Sequence, residues 1–373
     1  MEDKALERQP RSPWANYHAL ESGLRHYWYP VLLSRRLKRK PVALRLFGEN
    51  IVLIRDRGSA YALADHCAHR GTPLSLGKRD FPGTITCIYH GWCYNLPTGK
   101  VVAALTDGPD SPIAGKASVR TYPVQERIGL IWIYVGEGDP PPIEEDIPDE
   151  LLEPGVPVQT RISLQEGNWR FGVENHYDEA HANYLHRDAL FSLFWRLPAW
   201  KKGIRVEKEG KWLVRKSDTI EYNADYPGLG RWPQDGFWRW YRKQATVEVR
   251  LPGIGRVTYP EFTAYKFFTP VDNSHFLFVQ VLTKPVTGVR AAGFRLQYWL
   301  YRRWLYQVLF NNQDMLAVKT SYNPDPERLF GPDVSITAWR KLCEEARPER
   351  QQMRSSSAGL TRVGHSTEGL AEL

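Results

Sequence analysis

Apolar and polar residues alternate with a period of two over 43–47 (ALRLF) and 51–55 (IVLIR). This predicts paired strands, with a turn at Gly48-Glu49-Asn50 and another at Arg57-Gly58-Ser59. The pattern continues through GTITCIYHGWCYNLPTGKVV (83–102), where Pro97-Thr98-Gly99 marks a turn, and VRTYPVQERIGLIWIYVG (119–136) supplies two more strands. Residues 29–136 are therefore read as an all-β domain. Before it, residues 12–30 read as a short helix and an aromatic turn, and residues 1–28 are expected to pack on the second domain. EGDPPPIEEDIPDELLEPGVP (137–157), rich in proline and acid, is the expected linker.

From 158 to 345 the pattern becomes α+β. A helix is expected over 168–188 and a long one over 291–318. Antiparallel strands are expected in RISLQ, KWLVRKS, QATVEVR, VTYPEFTAYKFFTP (257–270 as one run) and HFLFVQVLTKP. The polar, Ser/Gly-rich stretch 346–373 is expected to be largely disordered.

Composition narrows the class. The 373 residues suffice for two domains, and 42% hydrophobic residues with 14 Trp fit a globular core rich in rings. The longest apolar runs, such as GLIWIYVG at 129–136, fall well short of the roughly 18 residues of a membrane span, so no membrane is implied. The first thirty residues carry no secretory h-region, and four cysteines (67, 87, 93 and 343) give no disulfide framework; a cytoplasmic location follows. The net charge of +8 and the run SRRLKRKP (34–41) suit an acidic partner. They form no nucleic-acid-binding motif, so no nucleic acid is implied.

Cys67 and His69 form a CxH pair, and Cys87 and His90 a CxxH pair, with seventeen residues between the pairs. This is the ligand set of a Rieske [2Fe-2S] cluster, in which two thiolates hold one iron and two imidazoles the other. A structural zinc site would use the same residue types, but zinc sites rarely begin with CxH. Each pair is followed by glycine, in HRG (69–71) and HGW (90–92), which allows tight turns that aim backbone N–H groups at the sulfurs. Pro73 and Trp92 are expected to cover the cluster.

A second centre is read in NWRFGVENHYDEAHANYLHRD (168–188). His181 and His186 are five residues apart, and on a regular helix His186 would be rotated by roughly 140° from His181, so the helix must loosen or end near Asn183. Two histidines and one carboxylate make the facial triad of a mononuclear non-haem Fe(II) site, with open positions left for O2. Asp178, Glu179 and Asp314 are the candidate carboxylates; Asp314 sits among apolar neighbours, where a free charge is costly. His176 is read as a pocket wall rather than a ligand.

With both sites in view the chain resembles the Rieske non-haem iron oxygenases, in their terminal oxygenase component, and within that family the carbazole dioxygenase type. The resemblance is carried by CxHRG, CxYHGW and DxxHxxxxH (178–186). It extends through HYWYPV, FGEN, TYPVQE, GDPPP, NWRxxVEN, FNNxD and ITAWRKL over most of the chain. It implies an N-terminal Rieske domain joined to a C-terminal helix-grip domain. It further implies Asp314 as the iron-binding acid, and a head-to-tail homotrimer in which Asp178 bridges His181 to a cluster histidine, His90, of the adjacent chain.

The resemblance also places Phe310 and Asn311 near the iron, and Phe194 and Phe278 are read as candidate pocket walls. Carbazole-type enzymes carry a small residue at the position of His176, so the pocket is altered there. The chain has no GxGxxG motif and no plant-type cysteine spacing, so NADH would act through a separate reductase and ferredoxin. The expected activity is O2-dependent hydroxylation, as dioxygenation, of an apolar aromatic or polycyclic substrate. Monooxygenation and oxidative demethylation use the same metal set. An electron carrier without catalysis would leave the second centre unexplained.

Overall fold

The computed structural model describes residues 12–188, 199–222, 225–231, 245–324 and 326–346; Phe194 and the C-terminal stretch beyond 346 lie outside them. Helix α1 is a single turn, Ala15–His18. Tyr27–Leu33, read from the sequence as partly an aromatic turn, is instead strand β1. Its rings alternate between two cores, which strand pleating allows and a turn would not. The hairpin series follows as β2 (Val42–Leu46), β3 (Glu49–Asp56) and β4 (Ser59–Ala64).

The first turn lies one residue earlier than expected, at Phe47-Gly48, and the second at Arg57-Gly58. All four residues have positive φ, the mirror-image turn whose twist matches paired strands. Strands β5 (Thr84–Thr86), β6 (Trp92–Asn95) and β7 (Val101–Ala104) form a three-stranded sheet, while β8 (Thr121–Tyr122) completes the order β2-β3-β4-β8. Strands β9 (Val124–Arg127) and β10 (Leu130–Val135) join β1 in a third sheet. That sheet packs on the C-terminal half, with Trp132 edge-on to Phe267 at 5.5 Å and Thr269 donating to the Pro30 carbonyl at 3.0 Å.

The C-terminal half is built on β11 (Val158–Glu166), followed by the hairpin partners β12 (Ala199–Lys202) and β15 (Thr219–Tyr222), which enclose β13 (Arg205–Glu209) and β14 (Trp212–Lys216). After the two-residue strands β16 (Asp225–Tyr226) and β17 (Gly230–Arg231) come β18 (Thr246–Arg250), β19 (Ile254–Thr258), β20 (Thr263–Asp272) and β21 (His275–Thr283). Seven of these make one antiparallel sheet in the order β11-β21-β20-β19-β18-β14-β13. The single strand read over 257–270 is two, because Tyr259 N–H bonds the Phe262 carbonyl at 2.9 Å and closes a turn around Pro260. Proline cannot donate to a sheet ladder, so the run breaks there.

Helices lie against this sheet. The helix read over 168–188 is broken: α2 spans Trp169–Tyr177, α3 spans His181–Tyr184, and a 3-10 turn runs from Leu185 to Asp188. The break falls at Asp178, earlier than Asn183, because the Asp178 carboxylate accepts the N–H groups of Ala180 (2.8 Å) and His181 (3.0 Å) and caps the next helical turn. The long helix begins earlier and ends later than expected. It comprises α4 (Gly288–Gln297), a wide π-helical stretch Tyr298–Phe310 and α5 (Asn311–Thr320). Across the π stretch, the Gln307 carbonyl accepts from Arg161 at 3.0 Å and from Gln280 at 3.4 Å. These outside donors help replace the regular ladder. Buried Arg340, in the helix over 334–346, pairs with Glu174 of α2 at 2.8 Å and with Glu327 at 2.6 Å, fixing the base of α2. Among the described residues no helix is long and apolar enough to cross a membrane.

Candidate functional site

The loops β4–β5 and β5–β6 carry the two Cys/His pairs and fold alike. Gly71 N–H bonds the Cys67 carbonyl at 2.8 Å and Cys67 N–H the Thr72 carbonyl at 2.8 Å. Gly91 N–H bonds the Cys87 carbonyl at 3.1 Å and Cys87 N–H the Trp92 carbonyl at 2.9 Å. Gly71 and Gly91 have φ of 74° and 62°, a conformation glycine adopts without strain. Cys67 and Cys87 are buried, whereas His69 is exposed and His90 half-buried, so the thiols face inward and the imidazoles outward. The two imidazole centroids are 4.5 Å apart, and Trp92 stacks on His69 at 4.9 Å; Pro73 is itself exposed.

Burial pushes the Cys87 thiol up, while the backbone N–H groups of Tyr89 and His90 aimed at its sulfur favour the thiolate. Tyr94, which the sequence reading did not single out, accepts from Ala68 N–H at 2.9 Å and so directs its own hydroxyl proton to Cys67 Sγ at 3.0 Å. Tyr94→Phe removes one hydrogen bond that favours the reduced, more electron-rich sulfur. At about 1 kcal/mol for such a bond, the one-electron midpoint is expected to fall by about 40 mV, measurable by redox titration of the visible spectrum.

The converging group is His181, His186 and Asp314. His181 Nδ1–H donates to Asp178 Oδ2 at 3.2 Å and His186 Nδ1–H to Gln313 Oε1 at 2.9 Å. Each imidazole therefore presents Nε2 to the same atom, Asp314 Oδ1, at 3.5 Å from His181 and 3.0 Å from His186. His186 Nε2 and Asp314 Oδ1 are buried and have no hydrogen-bond partner. One cation would satisfy both, and two imidazoles with a carboxylate are the donor set of a non-haem iron centre.

Phe310 stacks on His186 at 3.8 Å, and buried Asn311 donates to Gln280. Burial alone would lift the Asp314 carboxyl, but both histidines and Lys266 hold it well below the usual range. Burial would likewise lower His181; Asp178 and Asp314 outweigh it and carry it to about 9, so a proton on Nε2 competes with a cation for this position and must leave before the lone pair can bind one.

The remaining candidates separate cleanly. Glu179 is buried against Arg215 and Lys201, at 2.5 and 2.7 Å, and does not join the cluster. His176 is buried on α2, its Nε2–H donating to the Glu248 carbonyl at 3.0 Å; burial, then the Lys266 charge, push its pKa well down, so the ring is neutral. Gly255 on β19 makes room for it, since a Cβ there would overlap the imidazole. Phe278 packs in the sheet core, stacked on Phe268 at 5.1 Å. Gln313 and Lys266 were not read from the sequence. Lys266 was signalled by its place in TAYKFF, where strand alternation puts a charge on the inward face shared with Ala264 and Phe268.

Fold and site together define a Rieske-type iron–sulfur protein in which a second group of metal-capable side chains, His181, His186 and Asp314, lies between a helix pair and an antiparallel sheet. Residues 27–123 match the Rieske [2Fe-2S] domain and residues 134–198 the homotrimeric ring hydroxylase family. The chain is 31% identical to the terminal oxygenase component of carbazole 1,9a-dioxygenase from Metapseudomonas resinovorans, over 92% of this chain and 96% of that one. It is 32% identical to the corresponding component from Sphingomonas sp, over 89% and 94%. The solved reduced complex between oxygenase and ferredoxin in carbazole 1,9a-dioxygenase superposes with a TM-score of 0.80 at 30% identity, covering 89% of this chain and 92% of that chain. The protein belongs to the Rieske non-haem iron ring-hydroxylating oxygenases and is a terminal oxygenase component, carrying a Rieske [2Fe-2S] cluster.

Proposed function

We propose that this oxygenase hydroxylates an aromatic substrate at an Fe(II) held by His181, His186 and Asp314, with Cys67, His69, Cys87 and His90 as the ligands of the [2Fe-2S] cluster. The observation that carries the reading is the meeting of two Nε2 atoms at one unpartnered carboxylate oxygen. Iron bound there would supply the activation of dioxygen, and the cluster the single electrons that this needs.

This chain's residues do the rest. Gln313 and Asp178 fix the histidine tautomers so that both Nε2 lone pairs point inward. Asp178 is only partly buried, with 19% of its side chain exposed, so it can also accept from His90 of the partner subunit in a head-to-tail homotrimer. Its carboxyl lies below the usual range: burial opposes this, but the His181 ring and the backbone N–H groups of Ala180 and His181 prevail. It therefore stays an anionic acceptor for both imidazoles at neutral pH.

A ferredoxin, fed by an NADH-dependent reductase, is the proposed electron donor, and the cytoplasm the proposed location. The neutral imidazole of His176 adds bulk beside the site, which favours substrates other than carbazole.

The test is turnover of a panel of aromatic, heteroaromatic and methoxylated compounds by the full chain with a reductase, a ferredoxin, NADH and 18O2. Ring-hydroxylated product bearing 18O from both oxygen atoms supports dioxygenation. NADH oxidation that yields only peroxide with every compound would count against the aromatic-substrate reading.

A further inference from the structure

We propose that Lys266 is an anion-recognising residue of the substrate site, so that the ring to be hydroxylated carries a carboxylate or a comparable negative group. This rests on the oxygenase reading of the site and names its substrate class.

Lys266 projects from the inward face of β20 and is 5% exposed. Its ammonium lies 5.9 Å from the centre of the Phe278 ring and 3.8 Å from Asp314 Oδ2. The Asp314 carboxylate thus turns Oδ1 to the two histidines and Oδ2 to the lysine, which places Lys266 one carboxylate away from the histidine pair.

A buried ammonium is costly without a counter-charge. The other buried carboxylates around the helix pair already have cations of their own: Glu174 has Arg340, Glu179 has Arg215 and Lys201, and Glu248 has Arg256. Among the described residues Lys266 has an ion pair with Asp314 alone, at a separation longer than a hydrogen bond. That carboxylate is the one the metal centre requires. Once its charge is committed to a dication, the site holds more positive than negative charge in a low-dielectric surrounding, and the neutral His176 does nothing to correct this. A carboxylate on the ligand restores the balance, and the compact ammonium suits it as a point charge.

The experiment uses iron-replete, full-length enzyme under anaerobic conditions, so that binding is read without turnover. Dissociation constants for 2-naphthoate and the neutral isostere 2-naphthamide, and for benzoate and benzamide, are measured by calorimetry. Each wild-type carboxylate is expected to bind about tenfold to a hundredfold more tightly than its amide, the range of a charge-assisted pairing. Lys266→Met should bring the two affinities together while leaving amide binding in place, and Lys266→Arg should keep the preference. Lys266→Gln serves if the Met variant loses iron.

Equal affinities in the wild type, or a preference that survives in Lys266→Met, would overturn the assignment and leave the oxygenase reading intact. Failure of the wild type to bind any of the four probes would overturn it together with the aromatic-site reading.

Discussion

Asp178→Asn is expected to fold, to keep all three irons and to lose about 100-fold or more of its coupled turnover. The side chain is nearly isosteric, so its remaining oxygen can still accept from the backbone N–H of Ala180 or His181 and hold the break between α2 and α3. What is lost is the anion. The amide group turned toward His181 meets an Nδ1–H that is itself a donor, and the same conflict arises with any second imidazole arriving from a neighbouring chain. Changes at such outer partners of metal ligands typically cost 10- to 100-fold, and here the loss of the route between the centres adds to it.

Single-turnover kinetics separate the two effects. In pre-reduced Asp178→Asn mixed with O2 and substrate, the cluster should remain reduced for far longer than in the wild type, although the visible spectrum and iron content match. Normal coupled turnover in this variant would remove Asp178 from the electron route.

Asp314→Ala should act on the other centre alone. Deleting the carboxylate takes away one of three donors and also the charge that favours the Lys266 ammonium, so burial, which already lowers the Lys266 pKa, then favours its neutral amine. Iron content is expected to fall from three to two per chain and product formation to cease, while the absorption and electron paramagnetic resonance of the reduced cluster are retained. A variant that still held three irons would place the third somewhere other than at His181, His186 and Asp314.

Local patterns made the first centre legible and distance in sequence obscured the second. CxH and CxxH with their following glycines are complete within one hairpin pair, and the structure folds both loops as the residues dictate. The carboxylate choice could not be made from residues 168–188, because Asp178 spends its oxygens on backbone N–H groups and Glu179 on Arg215 and Lys201, partners that lie remote in sequence. Periodicity suggested one helix over 168–188, and the Asp178 cap divides it. It also fused β19 and β20 across Pro260, although the proline was a visible warning. Lys266 went unread for the opposite reason: a lysine in a strand is ordinarily taken as solvated, whereas β20 is covered on both faces and buries every residue from Ala264 to Val271.

The most direct test of two distinct centres in one chain is the ratio of iron to acid-labile sulfide in anaerobically purified enzyme. Three irons and two sulfides per chain are expected, with chelation under mild conditions removing one iron and leaving the cluster spectrum unchanged. Two irons and two sulfides, unaltered by added Fe(II) and accompanied by no oxygenated product, would contradict a mononuclear centre at His181, His186 and Asp314.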